Sequence, residues 1–163
     1  MQQDDISKQF EQLVKDNELL IRKVCSIYAF PHSNREDLFQ DIVLQLWRAF
    51  PGFRGESKVS TWLYRVAINT SISLLRRKKN FIQSYEPAAL PANVADTGDT
   101  AAEEQLHQLY KAIERLNEIE KAVVMLYLED RGYEEMEEIL GMSQGALRVK
   151  MNRIKNKLKE LTK

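Results

Sequence analysis

Residues 141–161 combine the groups of a motif that reads duplex DNA. Gly141 and Ser143 separate two helical patterns: we expect Gly141 to adopt the positive φ that closes the first helix and Ser143 to cap the second. The second pattern carries one polar and basic face. That face consists of Gln144, Arg148, Asn152, Lys155 and Lys159. Arginine suits guanine, glutamine and asparagine suit adenine, and lysine suits phosphate, so the spacing predicts a helix-turn-helix whose second helix enters a major groove. A basic amphipathic helix that caps a bundle would give the same pattern.

Residues 61–79 mix aromatic and cationic side chains in a way that suits unpaired bases. At helical spacing, one face holds Trp62, Arg65, Asn69, Ser73 and Arg76. Aromatic rings stack on unpaired bases and guanidinium groups hold the backbone, which is typical of single-stranded nucleic-acid binding. A position in the hydrophobic core would explain Trp62 and Tyr64 equally well. The basic run at 76–79 is also explained as a solvated helix end that the helix dipole favours.

No group of residues has the spacing of an enzyme site. His32 and His107 are isolated, no glycine loop cradles a phosphate, and the lone Cys25 lacks a zinc-ligand partner. We therefore predict no catalytic, cofactor-binding or metal-binding residues and no cofactor. The N-terminus lacks a signal-peptide pattern and no apolar run approaches the roughly 20 residues of a membrane helix, which predicts a soluble, cytoplasmic protein with no membrane insertion.

Charge is strongly segregated along the 163 residues. Lys plus Arg and Asp plus Glu each total 24, so the net charge is zero, which as an average argues against unspecific binding to nucleic acid. However, residues 144–163 hold seven bases and one acid, whereas residues 114–143 hold three bases and nine acids. The acidic scaffold helix has Glu134, Glu135, Glu137 and Glu138, for which we slightly favour a solvated face over a protein contact.

The elements that position these residues all read as helices, with no period-two alternation. Helices are predicted from Phe10 to Tyr28, from a capping box at Ser33 and Glu36 to about Phe50, and from a cap at Ser60 to about Lys79. Further helices follow from Leu106 to Leu116, from Ile119 to Leu128, and over 133–140 and 144–161. The fold class is all-α, with two small helical domains, 1–80 and 105–163, joined by a flexible acidic linker, 81–104.

Three blocks of sequence, in this order, closely resemble the extracytoplasmic-function (ECF) group of the sigma-70 family. They are Asp37-Leu38-Phe39-Gln40-Asp41 with Leu46-Trp47, the stretch from Phe53 to Asn69, and the stretch from Tyr133 to Ser143. The resemblance covers about residues 8–80 and 105–160. It implies a region-2-like helical bundle and a region-4-like helix-turn-helix domain, in a subunit that binds core RNA polymerase and directs it to promoters.

The resemblance also implies roles for individual residues. Polymerase would be bound by Asp37, Gln40, Asp41 and Leu44, although a solvated face is the commoner reason for such a pattern. The −10 element would be opened and bound by Phe53, Arg54, Ser57, Lys58, Trp62, Arg65, Asn69, Ser73, Arg76 and Arg77. The duplex −35 element would be read by Ser143, Gln144, Gly145, Arg148, Asn152, Arg153 and Lys155. The protein is not an enzyme itself, and an anti-sigma factor, often membrane-anchored in this group, is the expected restraining partner.

Some residues depart from the family pattern. Glu137 stands where the family usually has alanine, so we expect this carboxylate to reach solvent or to pair with Arg148 or Lys150. Val149 and Lys150 replace the more frequent Ser and Arg, so the −35 preference of relatives cannot be copied. The linker is either a mimic of nucleic acid in the RNA exit path or a plain tether. The rival function is a stand-alone helix-turn-helix regulator, which would have no use for the aromatic and basic helix around Trp62.

Overall fold

The computed structural model describes residues 2–29, 35–55, 57–84 and 101–162. Within these ranges the chain forms α-helices and one 3₁₀ turn, with no β-strand. The helices are α1 (Gln2–Asp16), α2 (Glu18–Tyr28), α3 (Arg35–Ala49), α4 (Val59–Ser84), α5 (Ala101–Glu114), α6 (Glu118–Leu128), α7 (Tyr133–Leu140) and α8 (Gln144–Leu161). The all-α prediction is therefore confirmed.

The N-terminal half, α1–α4, is built around α4, which packs against both α2 and α3. Ile21 and Ile42 have no exposed surface and Ile68 has 1%. Leu63 and Ala67 are buried, as the register of this helix predicts. The helix begins at Val59, so Ser60 lies in its first turn and does not cap it.

The predicted first helix is two helices, because the chain breaks at Asn17. The amide side chain of Asn17 donates a 2.9 Å hydrogen bond to the carbonyl oxygen of Leu13, and its φ and ψ are −121° and 18°. Asparagine competes with helical hydrogen bonding in this way, which explains the interruption. The apolar spacing has its one gap at Asn17 and resumes beyond it, so the pattern was also compatible with a single continuous helix.

The C-terminal half, α5–α8, owes its turns to three residues at helix ends. Asn117 caps α6 in a capping box with Glu120, which lies in the sequence pattern Asn-x-x-Glu. Gly141 has φ of 73°, a left-handed conformation that glycine adopts without strain, and it ends α7. The Ser143 hydroxyl accepts a 3.2 Å hydrogen bond from the amide of Ala146, which caps α8 as predicted.

The two halves pack against each other. Helix α4 contacts α6 and α7, α2 contacts α5 and α6, and a single cluster of buried apolar side chains extends through both halves. Sequence analysis did not anticipate this packing. The proposed flexibility of the linker and the capping box at Ser33 concern positions that fall largely outside the described residues.

Candidate nucleic-acid interface

Helix α4 presents a row of polar and cationic side chains to solvent. Arg65, Asn69, Ser73 and Arg76 are all exposed, as is Arg77 beside them. These residues recur every three or four positions, so they lie on one side of the helix. The structure therefore brings together the exposed members of the predicted −10 set on α4.

Trp62 is buried, unlike the residues that share its predicted face. Its side chain is 8% exposed, and its ring centroid lies 4.8 Å from that of Phe53 and 6.4 Å from that of Phe50. Tyr64, at 1% exposure, is fully in the core. The core alternative therefore holds for Tyr64, whereas Trp62 is both a core residue and part of a cleft wall.

The cleft lies between the loop after α3 and the start of α4. It encloses about 560 Å³ and is lined by Gly52, Phe53, Arg54, Ser57, Trp62, Arg65 and Glu138. This volume lies within the range of about 300–1,000 Å³ that is common for small-ligand sites. Two guanidinium groups at an aromatic wall are suited to a planar, electron-rich ring on an anionic backbone.

The C-terminal half covers part of this cationic face. The Lys58 ammonium lies 3.6 Å from a carboxylate oxygen of Glu135, and Nε of Arg76 lies 3.0 Å from one of Glu118. The Arg65 guanidinium donates a hydrogen bond to the main-chain carbonyl of Glu138. Three of the predicted −10 cations are thus held by the other half of the molecule.

The acidic scaffold helix α7 is only partly a solvated face. Glu134, Glu137 and Glu138 are exposed, but Glu135 is half-buried and also pairs with Arg131 at 3.2 Å. The preference for a solvated face is therefore wrong for Glu135, because α7 packs directly on α4. Arg131 also lies over the ring of Tyr64, with its central carbon 5.3 Å from the ring centroid.

The outer face of α8 is open along its length. Leu147, Met151 and Ile154 are buried on the inner side, whereas Arg148, Asn152, Arg153 and Lys155 are exposed. A second depression of about 490 Å³ is lined by Tyr133, Arg148, Val149, Met151, Asn152, Arg153 and Lys155. Ser143, Gln144 and Gly145 form the start of this helix, so the predicted −35 residues lie on one continuous surface.

Glu137 is exposed to solvent, which confirms one of the two expectations for this carboxylate. It does not pair with Arg148 or Lys150, which was the other expectation, but accepts a 3.1 Å hydrogen bond from the side-chain amide of Gln144. Arg148 instead lies over the ring of Tyr133, with its central carbon 5.1 Å from the centroid. Sequence analysis missed Tyr133 as a contact of this face, although Tyr133 and Glu137 are four residues apart on α7.

The predicted polymerase-binding residues lie on the solvent side of α3. Asp37, Gln40 and Asp41 are exposed, and Leu44 exposes 45% of its surface. Ile42 and Leu46 point to the core on the other side of this helix. An exposed leucine beside two carboxylates is suited to an apolar and basic partner surface.

The described residues contain neither a metal-binding cluster nor a membrane-spanning helix. In those ranges no three His, Cys, Asp or Glu side chains are grouped so that they could hold a metal ion. No helix there combines the length and the apolar character needed to cross a lipid bilayer.

Both halves of the chain match known protein families. Residues 13–81 match the model of sigma-70 region 2, and residues 106–158 match that of sigma-70 region 4. Together the two regions cover most of the chain and include the α3 face, the α4 face and the helix-turn-helix. The fold and its surfaces thus define a sigma factor.

Similar proteins show to which group of sigma factors the chain belongs. The chain is 29% identical to the ECF RNA polymerase sigma-E factor of Escherichia coli strain K12, over 94% of this chain and 88% of that protein. It is 30% identical to the ECF sigma-E factor of Haemophilus influenzae, over 77% of this chain and 75% of that protein. The chain belongs to the ECF group of the sigma-70 family, so it is an alternative sigma factor that directs RNA polymerase, and a stand-alone regulator is not favoured.

Solved structures share the fold. The sigma factor RpoE of Bartonella quintana, solved with the anti-sigma factor NepR, superposes with a TM-score of 0.75 at 23% identity, covering 94% of this chain and 96% of that one. CnrH, solved with the cytosolic domain of CnrY, superposes with a TM-score of 0.67 at 20% identity, covering 95% and 88%. At these identities the likeness establishes the fold.

Proposed function

We propose that this sigma factor uses three separate surfaces in initiation. The α3 face binds core RNA polymerase, the cleft and the exposed face of α4 bind the −10 element as single-stranded DNA, and the face of α8 reads the −35 element as duplex. The domain division at residues 1–80, 81–104 and 105–163 assigns the first two surfaces to one domain and the third to the other. The protein itself catalyses no reaction and acts in the cytoplasm.

The observation that carries this proposal is the contrast between the two cationic surfaces. The α4 surface borders a cleft with an aromatic wall, formed by Phe53 and Trp62, whereas α8 is a capped, solvent-facing helix that carries no aromatic residue itself, and the neighbouring tyrosine rings lie beneath its cations. Stacking walls serve unpaired bases, and an exposed polar helix serves a major groove. A protein that bound only duplex DNA would need the second surface alone.

The proposal requires the two halves of the molecule to separate. Lys58, Arg65 and Arg76 are paired with groups of the C-terminal half, and Glu138 forms part of the cleft wall. DNA phosphates can fully replace these partners only after α6 and α7 move away from α4. We propose that binding of core polymerase favours this separation, so most of the affinity for DNA depends on polymerase.

A protein partner that restrains the sigma factor fits the same picture. Each of the two structural neighbours was solved with a partner protein. The partner of RpoE, NepR, is named as an anti-sigma factor. We propose an anti-sigma factor for this chain as well, soluble or membrane-anchored, which would stabilise a form that cannot bind polymerase.

The test is transcription by a reconstituted holoenzyme. The full chain and core polymerase are incubated with a library of genomic fragments, and transcripts and permanganate-reactive thymines are mapped. We expect transcription from a defined set of promoters with opening near −10, and neither signal without core polymerase. Tight duplex binding by the chain alone, with no transcription from any fragment, would favour the stand-alone regulator.

Matched variants test the polymerase surface. Asp41→Ala and Leu44→Ala should weaken binding to core polymerase without lowering the melting temperature, because both side chains are exposed. Glu11→Ala, which removes a carboxylate from the exposed side of α1, is the control and should bind normally. Equal binding by all three variants would remove α3 from the interface.

A further inference from the structure

Two residues of α7 contact two residues of α8, and on each helix the two residues are four positions apart. Tyr133 and Glu137 are four residues apart on α7, and Gln144 and Arg148 are four residues apart on α8. Residues at this spacing lie on one side of a helix, one above the other. Tyr133 faces Arg148 and Glu137 faces Gln144, so the two helices form two side-chain pairs side by side.

The Glu137 pair fixes which way the amide of Gln144 points. An ionised carboxylate only accepts hydrogen bonds, so the amide nitrogen of Gln144 must face Glu137 and the amide oxygen must face away. One N–H of this amide is used at 3.1 Å, and the second N–H and the oxygen are left for another partner. That remaining donor and acceptor match the N7 and N6 edge of adenine.

The Tyr133 pair restricts Arg148 in a similar way. The guanidinium lies over the ring with 5.1 Å from its central carbon to the centroid, which leaves its N–H edge available for guanine O6 and N7. A long, exposed side chain that is free in solution loses much rotamer freedom when it binds DNA. Because Arg148 is already held over the Tyr133 ring before binding, it loses less.

From this register we propose that Tyr133 and Glu137 are positioning residues for base reading, which hold Arg148 and Gln144 in the orientation that recognises their base pairs. The inference rests on the proposed reading of duplex DNA by α8, and assigns part of the specificity to a helix that need not touch a base.

The experiment measures base discrimination by the holoenzyme on promoters with a randomised −35 element. Tyr133→Leu should reduce the preference at the base pair read by Arg148 about 2- to 10-fold, the size expected for one ordered side chain. Tyr133→Phe keeps the ring and should keep the preference. Glu137→Ala should reduce the preference at the base pair read by Gln144 to a similar extent. Glu134→Ala also removes a charge from α7, but it should leave that preference unchanged.

Discrimination is a ratio between two sequences bound by one protein, so it does not depend on the folded fraction of a destabilised variant. In an Arg148→Ala background, Tyr133→Leu should cause no further loss of preference. An equal loss on all sequences, or a further loss in that background, would overturn the inference. If Arg148→Ala itself changes no preference, the assignment of α8 and the inference both fail. If Arg148→Ala abolishes the preference and Tyr133→Leu does not change it, the inference alone fails.

Discussion

The hydroxyl of Tyr28 donates a 2.7 Å hydrogen bond to the main-chain carbonyl of Glu118, which joins the end of α2 to the start of α6. Tyr28 is 5% exposed, and burial raises the pKa of its hydroxyl well above the usual range. The donor therefore keeps its proton at any ordinary pH. This bond lies inside the packing between the two halves, where water cannot easily replace it.

Tyr28→Phe should lower the free energy of unfolding by about 0.5–1.5 kcal/mol, because one part-buried hydrogen bond between the two halves is lost. Urea denaturation of the full chain measures the change. Tyr127→Phe is the control, since Tyr127 is 39% exposed and should lose less than about 0.5 kcal/mol. Equal losses in the two variants would mean that the hydrogen bond of Tyr28 contributes nothing measurable.

Opening of the two halves can be tested away from the DNA-binding residues. The Lys23 ammonium lies 2.8 Å from a carboxylate oxygen of Glu129, and neither residue belongs to a proposed DNA surface. Lys23→Glu replaces this attraction with repulsion and should shift the closed-to-open equilibrium about 1.5- to 5-fold, the range for a partly exposed ion pair. Small-angle scattering should then report a larger radius of gyration.

The charge swap is the control for that result. Lys23→Glu combined with Glu129→Lys restores the pair in the opposite order and should return the radius of gyration toward that of the native protein. An expansion that persists in the double variant would show that Lys23 acts through something other than its pairing with Glu129.

Trp62 and Asn69 separate stability from promoter opening. Trp62→Ala should cost about 3–5 kcal/mol of stability, because the buried indole packs against Phe50 and Phe53. Asn69→Ala removes an exposed side chain and should change stability by less than about 0.5 kcal/mol, yet it should slow opening of the −10 element by holoenzyme. Thermal melting and permanganate reactivity measure the two effects. Normal opening by the Asn69 variant would remove it from the −10 surface.

Cys25 should be unreactive in the folded protein. It is 2% exposed, and burial raises the pKa of its thiol from 9.0 to about 11. At pH 8 the folded chain thus holds about 100-fold less thiolate than the unfolded chain, so alkylation by iodoacetamide should be slow until urea is added. Rapid alkylation of the native protein would contradict this placement of the thiol.

The same shift predicts how stability depends on pH. Well below pH 9 the thiol is protonated in both the folded and the unfolded state, so it has almost no effect on stability. Between about pH 9 and 11 the unfolded thiol ionises while the folded one does not, so stability falls as pH rises. Cys25→Ala should make this fall shallower, and an unchanged slope would show that the buried tyrosines alone cause it.

The sequence predicted what depends on neighbours along the chain. The exposed row from Arg65 to Arg76, the left-handed Gly141 and the cap at Ser143 follow from helical spacing and from the conformational preferences of glycine and serine. Asn117 with Glu120 had a readable capping pattern that was not used. The break at Asn17 gave a weaker signal, because the apolar stripe has a gap only around this position and resumes at Leu20.

The packing of the two halves could not be predicted from such patterns. Lys23 and Glu129 are 106 residues apart and Tyr28 and Glu118 are 90 apart, so no periodicity relates them. A cation that is paired across the two halves, such as Arg76, looks the same in sequence as an unpaired one. For the same reason, the contacts of Tyr133 and Glu137 with α8 became visible only once the turn at Gly141 had been placed in space.

The ion pairs between the halves have a consequence for the effect of salt. Lys58 and Arg76, two cations of the proposed −10 surface, each pair with a glutamate of the C-terminal half. When DNA phosphates replace these carboxylates, DNA releases counterions while the freed carboxylates take cations up again. The two exchanges offset each other, so affinity for the −10 strand should fall less steeply with rising salt than the number of cations on α4 suggests. Promoter opening by such a chain should therefore depend only weakly on the ionic strength of the cell.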